Sequence, residues 1–328
     1  MAVLVTGGAG YIGSHAVALL RERGEDVVVV DNLQKGHRSA VLDAPLLVGD
    51  IGNSGFLDRV LGEHSIDSVM HFAADSLVGE SMSNPMKYYR NNLYSSLVLA
   101  EAMERHQIRS IVFSSTAAVY GEPERVPITE SSATAPTSVY GETKLAFERA
   151  LAWLDMGSGL KYVSLRYFNA AGAHPSGRIG EDHDPETHLV PIVLQVALGK
   201  RDKVTVYGDN YSTEDGTCVR DYIHVTDLAE AHVLALDHLR SGGESRIYNL
   251  GSGTGYSVKE IIEAAREVTA MDIPSENGDR RSGDPAVLIA SSDRIKSELG
   301  WDPKHDDIRG IIESAWSFHR SHPSGFED

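Results

Sequence analysis

The chain has 328 residues, and at roughly 150 residues per domain it has room for two domains, or for one large α/β unit with an appendage. Hydrophobic residues make up 41 % and charged residues 23 %, a balance that excludes a disordered, collagen-like or fibrous chain, and no apolar run approaches the roughly 20 residues of a membrane-spanning helix. Lys and Arg number 30 against 47 Asp and Glu, a net charge of −17 that disfavours nucleic-acid binding, which needs a basic footprint.

In chain order, Ala2–Thr6 (AVLVT) reads as a buried strand entered without a charged leader, so no signal peptide is expected. A helix is predicted over 14–23, ended by Gly24, and further strands over 27–31, 68–74 and 110–115. A long helix over 140–154 leads into a strand at 162–166. Near-continuous apolar strands separated by helices predict a parallel sheet covered on both faces. Beyond 166 the rhythm breaks into a Gly-, Pro- and charge-rich stretch, 169–187, then a helix over 190–198 and a strand-like VTVYG. After the polar loop 209–217, the segments 221–224 and 247–250 look like strands returning to sheet structure, and Ser257 is placed to cap a helix over 258–269. The expected fold is α/β: a Rossmann-type doubly wound parallel sheet with a smaller, discontinuous α+β substrate lobe. The dinucleotide-binding domain is expected over 1–168 plus about 222–250, and the substrate lobe over about 169–221 plus 251–328.

Gly7, Gly10 and Gly13 form GxxGxxG between the first strand and the first helix. Glycines there permit a tight turn and close approach to a pyrophosphate, which backbone N–H groups and the helix N-terminus stabilise. The second strand ends at Asp31, 18 residues beyond Gly13, where a carboxylate accepts hydrogen bonds from an adenosine ribose. That carboxylate repels the extra phosphate of NADP, and the next residue is Asn32 rather than Arg, so NAD is expected. Asp50, Ile51, Phe72, Ala73 and Ala74, at successive strand ends, are expected to line the same crevice.

Tyr140 and Lys144 stand at i, i+4 on the long helix and share one face. A neighbouring ammonium and the positive nicotinamide of NAD⁺ both favour phenolate, bringing a tyrosine base toward neutral pH. The hydroxyl run Ser114-Ser115-Thr116 ends the preceding strand, where it can share a substrate alcohol with Tyr140.

With these motifs the chain resembles the extended short-chain dehydrogenase/reductase superfamily. Within it, GGAGYIGSH, HFAADSLVGES, FSSTAAVYG, SVYGETKLAFE, LRYFNAAGAHPSG, TEDGTCVRDYIHV, RRSGDP and the terminal HPSGFED are similar to the UDP-glucose (UDP-galactose) 4-epimerase family. The resemblance implies an NAD-dependent isomerase of galactose metabolism that interconverts the two UDP-hexoses. Tyr140 would exchange the proton, Lys144 would tune it and bind the nicotinamide ribose, and Thr116 would hydrogen-bond the sugar. Gly7, Gly10, Tyr11, Ile12, Gly13, Asp31, Asn32, Asp50, Ile51, Phe72, Ala73, Ala74, Asn91, Ser114 and Tyr167 would surround NAD. Asn169, Leu189, Tyr207, Arg220 and Arg281 would hold the UDP-sugar, with Asp284 nearby and Leu288 on the wall that sets hexose size. It also implies a homodimer through the helices starting near Asn91 and Tyr140, which carry Leu93, Leu97 and Met103, and Phe147, Leu151 and Leu154.

Two departures stand out: Ser76 where many epimerases carry Lys, and His188 where Asn is commoner before Leu189. A dehydratase on the same fold would carry an Asp-Glu pair after the active-site Thr, whereas Ala117-Ala118 follows Thr116. A catalytically idle NAD-sensing regulator is disfavoured because Tyr140, Thr116 and Lys144 are all present. Glu181, Asp182, His183, Asp184, Glu186 and His188 fit no regular ligand spacing and read as a solvated loop, so no metal is expected. Cys218, the lone cysteine, forms no disulfide within the chain, reads as a packed small residue and fits a cytoplasmic protein.

Overall fold

A computed structural model describes residues 1–281 and 284–327; Ser282 and Gly283 of the RRSGDP stretch, and Asp328 of HPSGFED, lie outside the described residues. The strands are β1 (Ala2–Thr6), β2 (Asp26–Asp31), β3 (Leu46–Val48), β4 (Ile66–His71), β5 (Ser110–Ser114), β6 (Lys161–Tyr167), β7 (Asn169–Ala171), β8 (Val204–Tyr207), β9 (Val219–His224), β10 (Arg246–Leu250), β11 (Gly255–Ser257), β12 (Ser275–Gly278) and β13 (Val287–Leu288). Seven of them form one parallel sheet in the order β10-β6-β5-β4-β1-β2-β3.

The continuous apolar runs are explained by burial on both faces. Val3, Val5, Val27 and Val29 pack on one side with Ala16, Val17 and Leu20 of the helix Tyr11–Glu22 and Leu228 and Leu236 of the helix Val225–Arg240. Leu4, Val28 and Val30 pack on the other with Leu57, Leu99, Phe147 and Leu151 from three further helices. This is the doubly wound arrangement expected. Beyond it, β11-β9-β13 with β7 on β9 form a second sheet, and β8 pairs with β12 in a third. A separate core joins the helices Leu189–Ala197, Val258–Thr269 and Ile308–Ser321 to Val204 and Tyr222. Among the described residues, no helix is long and apolar enough to cross a membrane.

The structure differs from the sequence expectation in several places. The first helix begins at Tyr11 rather than 14, because the last glycine of the turn is already helical. The short edge strand β3, Leu-Leu-Val, was not expected: it is apolar, but three residues are too short a run to mark a strand. The segment 221–224 is part of β9, in the second sheet, whereas 247–250 is part of β10, which joins the main sheet beside β6. Finally, Met103, Phe147 and Leu151, expected at a subunit interface, are buried in the core under the sheet. Leu93 and Leu154 pack half-buried against the same core, whereas Leu97 is exposed as expected, along with Tyr94, Trp153 and Met156. The helix over 258–269 is as expected, with Ser257 and Glu260 forming a reciprocal capping box.

Candidate active site

The order of the main sheet reverses between β1 and β4, which opens a crevice beyond their C-terminal ends. The glycine-rich turn lies there. Gly7 has φ +75°, and a Cβ on it would lie 2.5 Å from Ala73 N; one on Gly13 would lie 2.1 Å from Gly7 O. Both glycines are therefore required by the chain itself. A Cβ on Gly10 would meet only Gly7 O at 3.4 Å, ordinary contact, so the backbone there is left bare toward the crevice, as close approach of a pyrophosphate requires. Asp31 is 8 % exposed; its Oδ2 accepts from Ala9 N at 3.0 Å and its Oδ1 from Leu33 N at 2.8 Å. Burial raises its pKa, and these backbone donors work against the rise.

The other residues expected around the cofactor gather on the same rim. Asn32 caps its own turn through Gln34 N, Asp50 accepts from Gly52 N at 2.7 Å, and Ile51 is buried. Phe72 N and Ala73 N both donate to Thr6 O, which aligns this strand end with β1, and Ala74 follows, half-buried. Asn91 donates to Asp75 Oδ2 at 3.0 Å. Ile12 packs half-buried on the core, and the Tyr11 hydroxyl donates to Gly172 O at 2.7 Å, tying the turn to the chain beyond the main sheet. Ser76 is exposed.

Tyr140 and Lys144 lie on the helix Val139–Ser158, capped by Ser138, whose hydroxyl accepts from Gly141 N. Thr116 ends the segment after β5, its Oγ1 accepting from Ala118 N at 3.1 Å, and its hydroxyl is near enough to the Tyr140 phenol to act on it. Burial nevertheless holds Tyr140 above its ordinary pKa, and the nearby Thr116 hydroxyl offsets this only in part. The ammonium expected to lower it is itself pushed down to about 7 by burial, with Glu148 acting in the opposite sense. Its Nζ donates to Ser114 O at 2.8 Å and sits 4.8 Å from the Phe113 ring centroid. The protein alone therefore does not bring Tyr140 toward neutral pH, because both members of the pair are desolvated. Tyr167 meets Ser114 Oγ at 2.5 Å, and its own pKa is raised by burial and then by Tyr140.

Beneath this site runs a buried network that pattern reading missed. Glu148 accepts from Ser115 Oγ at 2.5 Å and forms an ion pair with Arg166, which also donates to the Tyr120 hydroxyl at 2.9 Å. Glu148 follows Lys144 at i, i+4, the one local sign of it.

A second cavity, of about 200 Å³, collects most of the residues expected to hold the substrate: Asn169, Leu189, Tyr207, Arg220, Arg281 and Asp284, with His188 and Cys218 beside them. Arg220 pairs with Asp284, and Arg281 stacks over the Tyr207 ring, 4.1 Å from its centroid. Two arginines 61 positions apart thus face one cavity in an acidic protein. The Cys218 thiol is buried and its pKa is raised by that burial, as befits a packed residue. Leu288 does not line this cavity; it packs with Ala117, Val119 and Leu145 and stands opposite Arg220 in the β13–β9 register. A shallower depression of about 550 Å³ near Met1, Asp26 and His64 carries none of the motif residues.

The expected solvated loop at 181–188 is solvated only in part: Asp184, Pro185 and Thr187 are exposed, but two carboxylates turn inward. Glu181 and Glu186 are 4 % and 8 % exposed and converge with His183 and His188. Burial opposes protonation of these imidazoles, but the carboxylates outweigh it and raise His183 to about 9 and His188 to about 10.

Residues 3–251 match the NAD dependent epimerase/dehydratase family. The chain is 58 % identical to the UDP-glucose 4-epimerase of Halalkalibacterium halodurans, over 99 % of this chain and 98 % of that one. It superposes on a crystal structure of a UDP-glucose 4-epimerase with a TM-score of 0.98, at 55 % identity and full coverage of both chains. Superposition on the Bifidobacterium longum UDP-glucose 4-epimerase, solved with NAD⁺ and UDP, gives a TM-score of 0.95 at 41 % identity, covering 99 % of this chain and 100 % of that one.

Proposed function

The chain belongs to the NAD dependent epimerase/dehydratase family, and we propose that it interconverts UDP-glucose and UDP-galactose at C4 with bound NAD. The observation that supports the reading is Tyr140 and Lys144 on the helix Val139–Ser158, with Lys144 Nζ on Ser114 O at the C-terminal end of β5 and Thr116 just beyond, together with a separate two-arginine cavity. The crevice suits NAD: Gly10 leaves bare backbone for the pyrophosphate, and Asp31 offers a carboxylate to the ribose. Held by the glycine-rich turn and Asp31, NAD⁺ would supply the hydride acceptor, and as NADH the hydride donor, for C4 of the sugar.

The chain's own residues do the rest. Tyr140 takes the C4 hydroxyl proton and gives it back, and Thr116 holds that hydroxyl. Lys144 binds the nicotinamide ribose, with Ser114 and Tyr167 beside it. Arg220 and Arg281 anchor the diphosphate while the hexose turns, and Asn169, Leu189 and Tyr207 hold the remainder of the UDP-sugar. In this reading the main sheet carries NAD and the smaller sheets carry UDP. Ala117-Ala118 after Thr116 supplies no carboxylate for water loss, which favours epimerisation over dehydration. The deciding test is incubation with UDP-galactose and chromatographic separation of the UDP-hexoses; UDP-glucose is expected, and recovery of UDP-galactose alone would refute the reading.

Leu288 is assigned to the sugar wall on its position opposite Arg220 and against Ala117, the neighbour of Thr116. Leucine is shorter than tyrosine and bulkier than serine, so UDP-glucose and UDP-galactose are preferred over N-acetylated hexoses. Leu288→Ser is expected to raise kcat/KM for UDP-N-acetylglucosamine with UDP-galactose turnover nearly intact. A parallel fall for both substrates, with lower thermal stability, would return Leu288 to the core.

The active form is proposed to be a cytoplasmic homodimer. The lone, buried Cys218 supports the compartment, and the exposed Tyr94, Leu97, Trp153 and Met156 support a paired-helix interface. Trp153 is 71 % exposed, and Trp153→Glu is expected to shift the sedimenting species from dimer to monomer. A wild-type chain that sediments as a monomer would overturn this.

A further inference from the structure

Between the glycine-rich turn and the nucleotide cavity lies a cluster that the epimerisation chemistry does not use. Glu181, His183, Glu186 and His188 each present one donor atom, and the four atoms lie within 4.8 Å of one another. Both imidazoles turn Nδ1 toward the carboxylates. Glu181 Oε1 is 3.3 Å from His183 Nδ1 and 3.0 Å from His188 Nδ1. Glu186 stands 3.6 Å from His183 through Oε2 and 3.0 Å from His188 through Oε1. Bonds of roughly 2.0–2.1 Å to a tetrahedral ion place neighbouring donors about 3.3 Å apart; the His–carboxylate separations lie near that value, and the widest donor pairs, at up to 4.8 Å, would draw in on binding.

A second observation is independent of the spacing. His183 Nδ1 is fully buried, lies between the two carboxylates, and has no partner in hydrogen-bond geometry. The two ion pairs, at 3.3 and 3.6 Å, hold this nitrogen without hydrogen-bond geometry, and an ion at the centre of the four donors would satisfy it more fully. Glu186 is held in place from outside: its Oε1 accepts from Thr187 N at 2.7 Å and His188 N at 2.8 Å, leaving Oε2 toward His183. Such outer hydrogen bonds are what orient a ligating carboxylate.

We propose that Glu181, His183, Glu186 and His188 form a structural site for one divalent transition-metal ion of the zinc class. Two imidazoles and two carboxylates suit Zn²⁺ or Co²⁺, and four protein donors of this mixture are too few and too soft for Ca²⁺ or Mg²⁺. Two carboxylates with neutral imidazoles also cancel the ion's charge in a buried setting. The ion has no part in the proton or hydride steps. It braces the 181–188 loop, from which Glu181 and His188 line the nucleotide cavity, against Tyr11, whose ring meets His183 edge-on at 6.2 Å. It thereby fixes the cofactor turn and the substrate cavity relative to each other.

The test is calorimetric titration of chelator-stripped, full-length protein with Zn²⁺, and with Mg²⁺ for comparison. One Zn²⁺ per chain is expected, with far weaker Mg²⁺ binding, and Co²⁺ should give the intense visible bands of a tetrahedral site. The His183→Ala/His188→Ala double variant should lose the Zn²⁺ equivalent. Glu186→Gln, which preserves volume, should weaken it by roughly 10–100-fold or more, since even outer-shell partners cost that much. If the double variant does not fold, Glu186→Gln with an unchanged circular dichroism spectrum decides. Wild type binding no more Zn²⁺ than the folded variant, or Mg²⁺ as tightly as Zn²⁺, would reduce the cluster to imidazolium–carboxylate pairs and overturn the proposal.

Discussion

Tyr140→Phe is expected to lower kcat for UDP-galactose by about 10²–10⁴-fold, the range general acid–base catalysis contributes, while NAD and UDP still bind. Only the proton-exchanging oxygen is removed; the ring keeps its place on the helix that Ser138 caps. On the proposed role the loss belongs in kcat, because the Tyr140 oxygen would act on a proton in flight. The pH dependence follows from the direction of its shift. Burial holds the phenol protonated above its usual range, so the phenolate form, and with it kcat/KM, increases as pH rises through the Tyr140 pKa. Positive charge on bound NAD⁺ favours phenolate. The 295 nm tyrosinate titration of the NAD⁺-bound protein should therefore begin at lower pH than that of the NAD-free protein. That early component should vanish in Tyr140→Phe. Near-wild-type turnover by the variant, or identical titrations with and without NAD⁺, would remove Tyr140 as the acid–base group.

Arg220→Ala is expected to raise KM for UDP-galactose strongly. Truncating one partner of a buried, hydrogen-bonded charge pair costs about 2–5 kcal/mol, or roughly 30-fold to several-thousand-fold in affinity. The Arg220 side chain is only 13 % exposed and pairs with Asp284. Its removal would leave that carboxylate facing an incoming diphosphate with Arg281 as the remaining arginine among the described lining residues. Arg220→Lys should recover part of the loss, as a point charge lacks the planar fork. NAD affinity should be unchanged, because Arg220 lines the two-arginine cavity rather than the glycine-rich turn. A change in KM below about twofold would place Arg220 outside the diphosphate site.

Much of this protein was legible before any coordinates. The apolar strands, Gly7 and Gly13, Asp31, the Ser257 cap and the Tyr140–Lys144 pair depend on chemistry within a few residues of one another. Backbone sterics and side-chain spacing along a strand or helix are local, so the pattern carries them directly. The NAD crevice follows because a parallel α/β sheet places its strand ends there.

The tertiary structure decided what depends on partners distant in the chain. Alternation and apolarity report that β9 is buried, but not that it pairs with β7, β11 and β13 outside the main sheet. Helical periodicity marks Met103, Phe147 and Leu151 as apolar, but only packing shows that they face the sheet while Trp153 and Met156 face outward. The charged 181–188 segment reads as solvated because most such segments are; here Glu181 and Glu186 are buried by contacts that composition does not encode. Protonation is the clearest case. Proximity of Lys144 at i, i+4 argues for a lowered Tyr140, yet desolvation raises Tyr140 and lowers Lys144 to about 7. Sequence spacing specifies which charges are near each other, whereas the dielectric around them is set by everything folded over them.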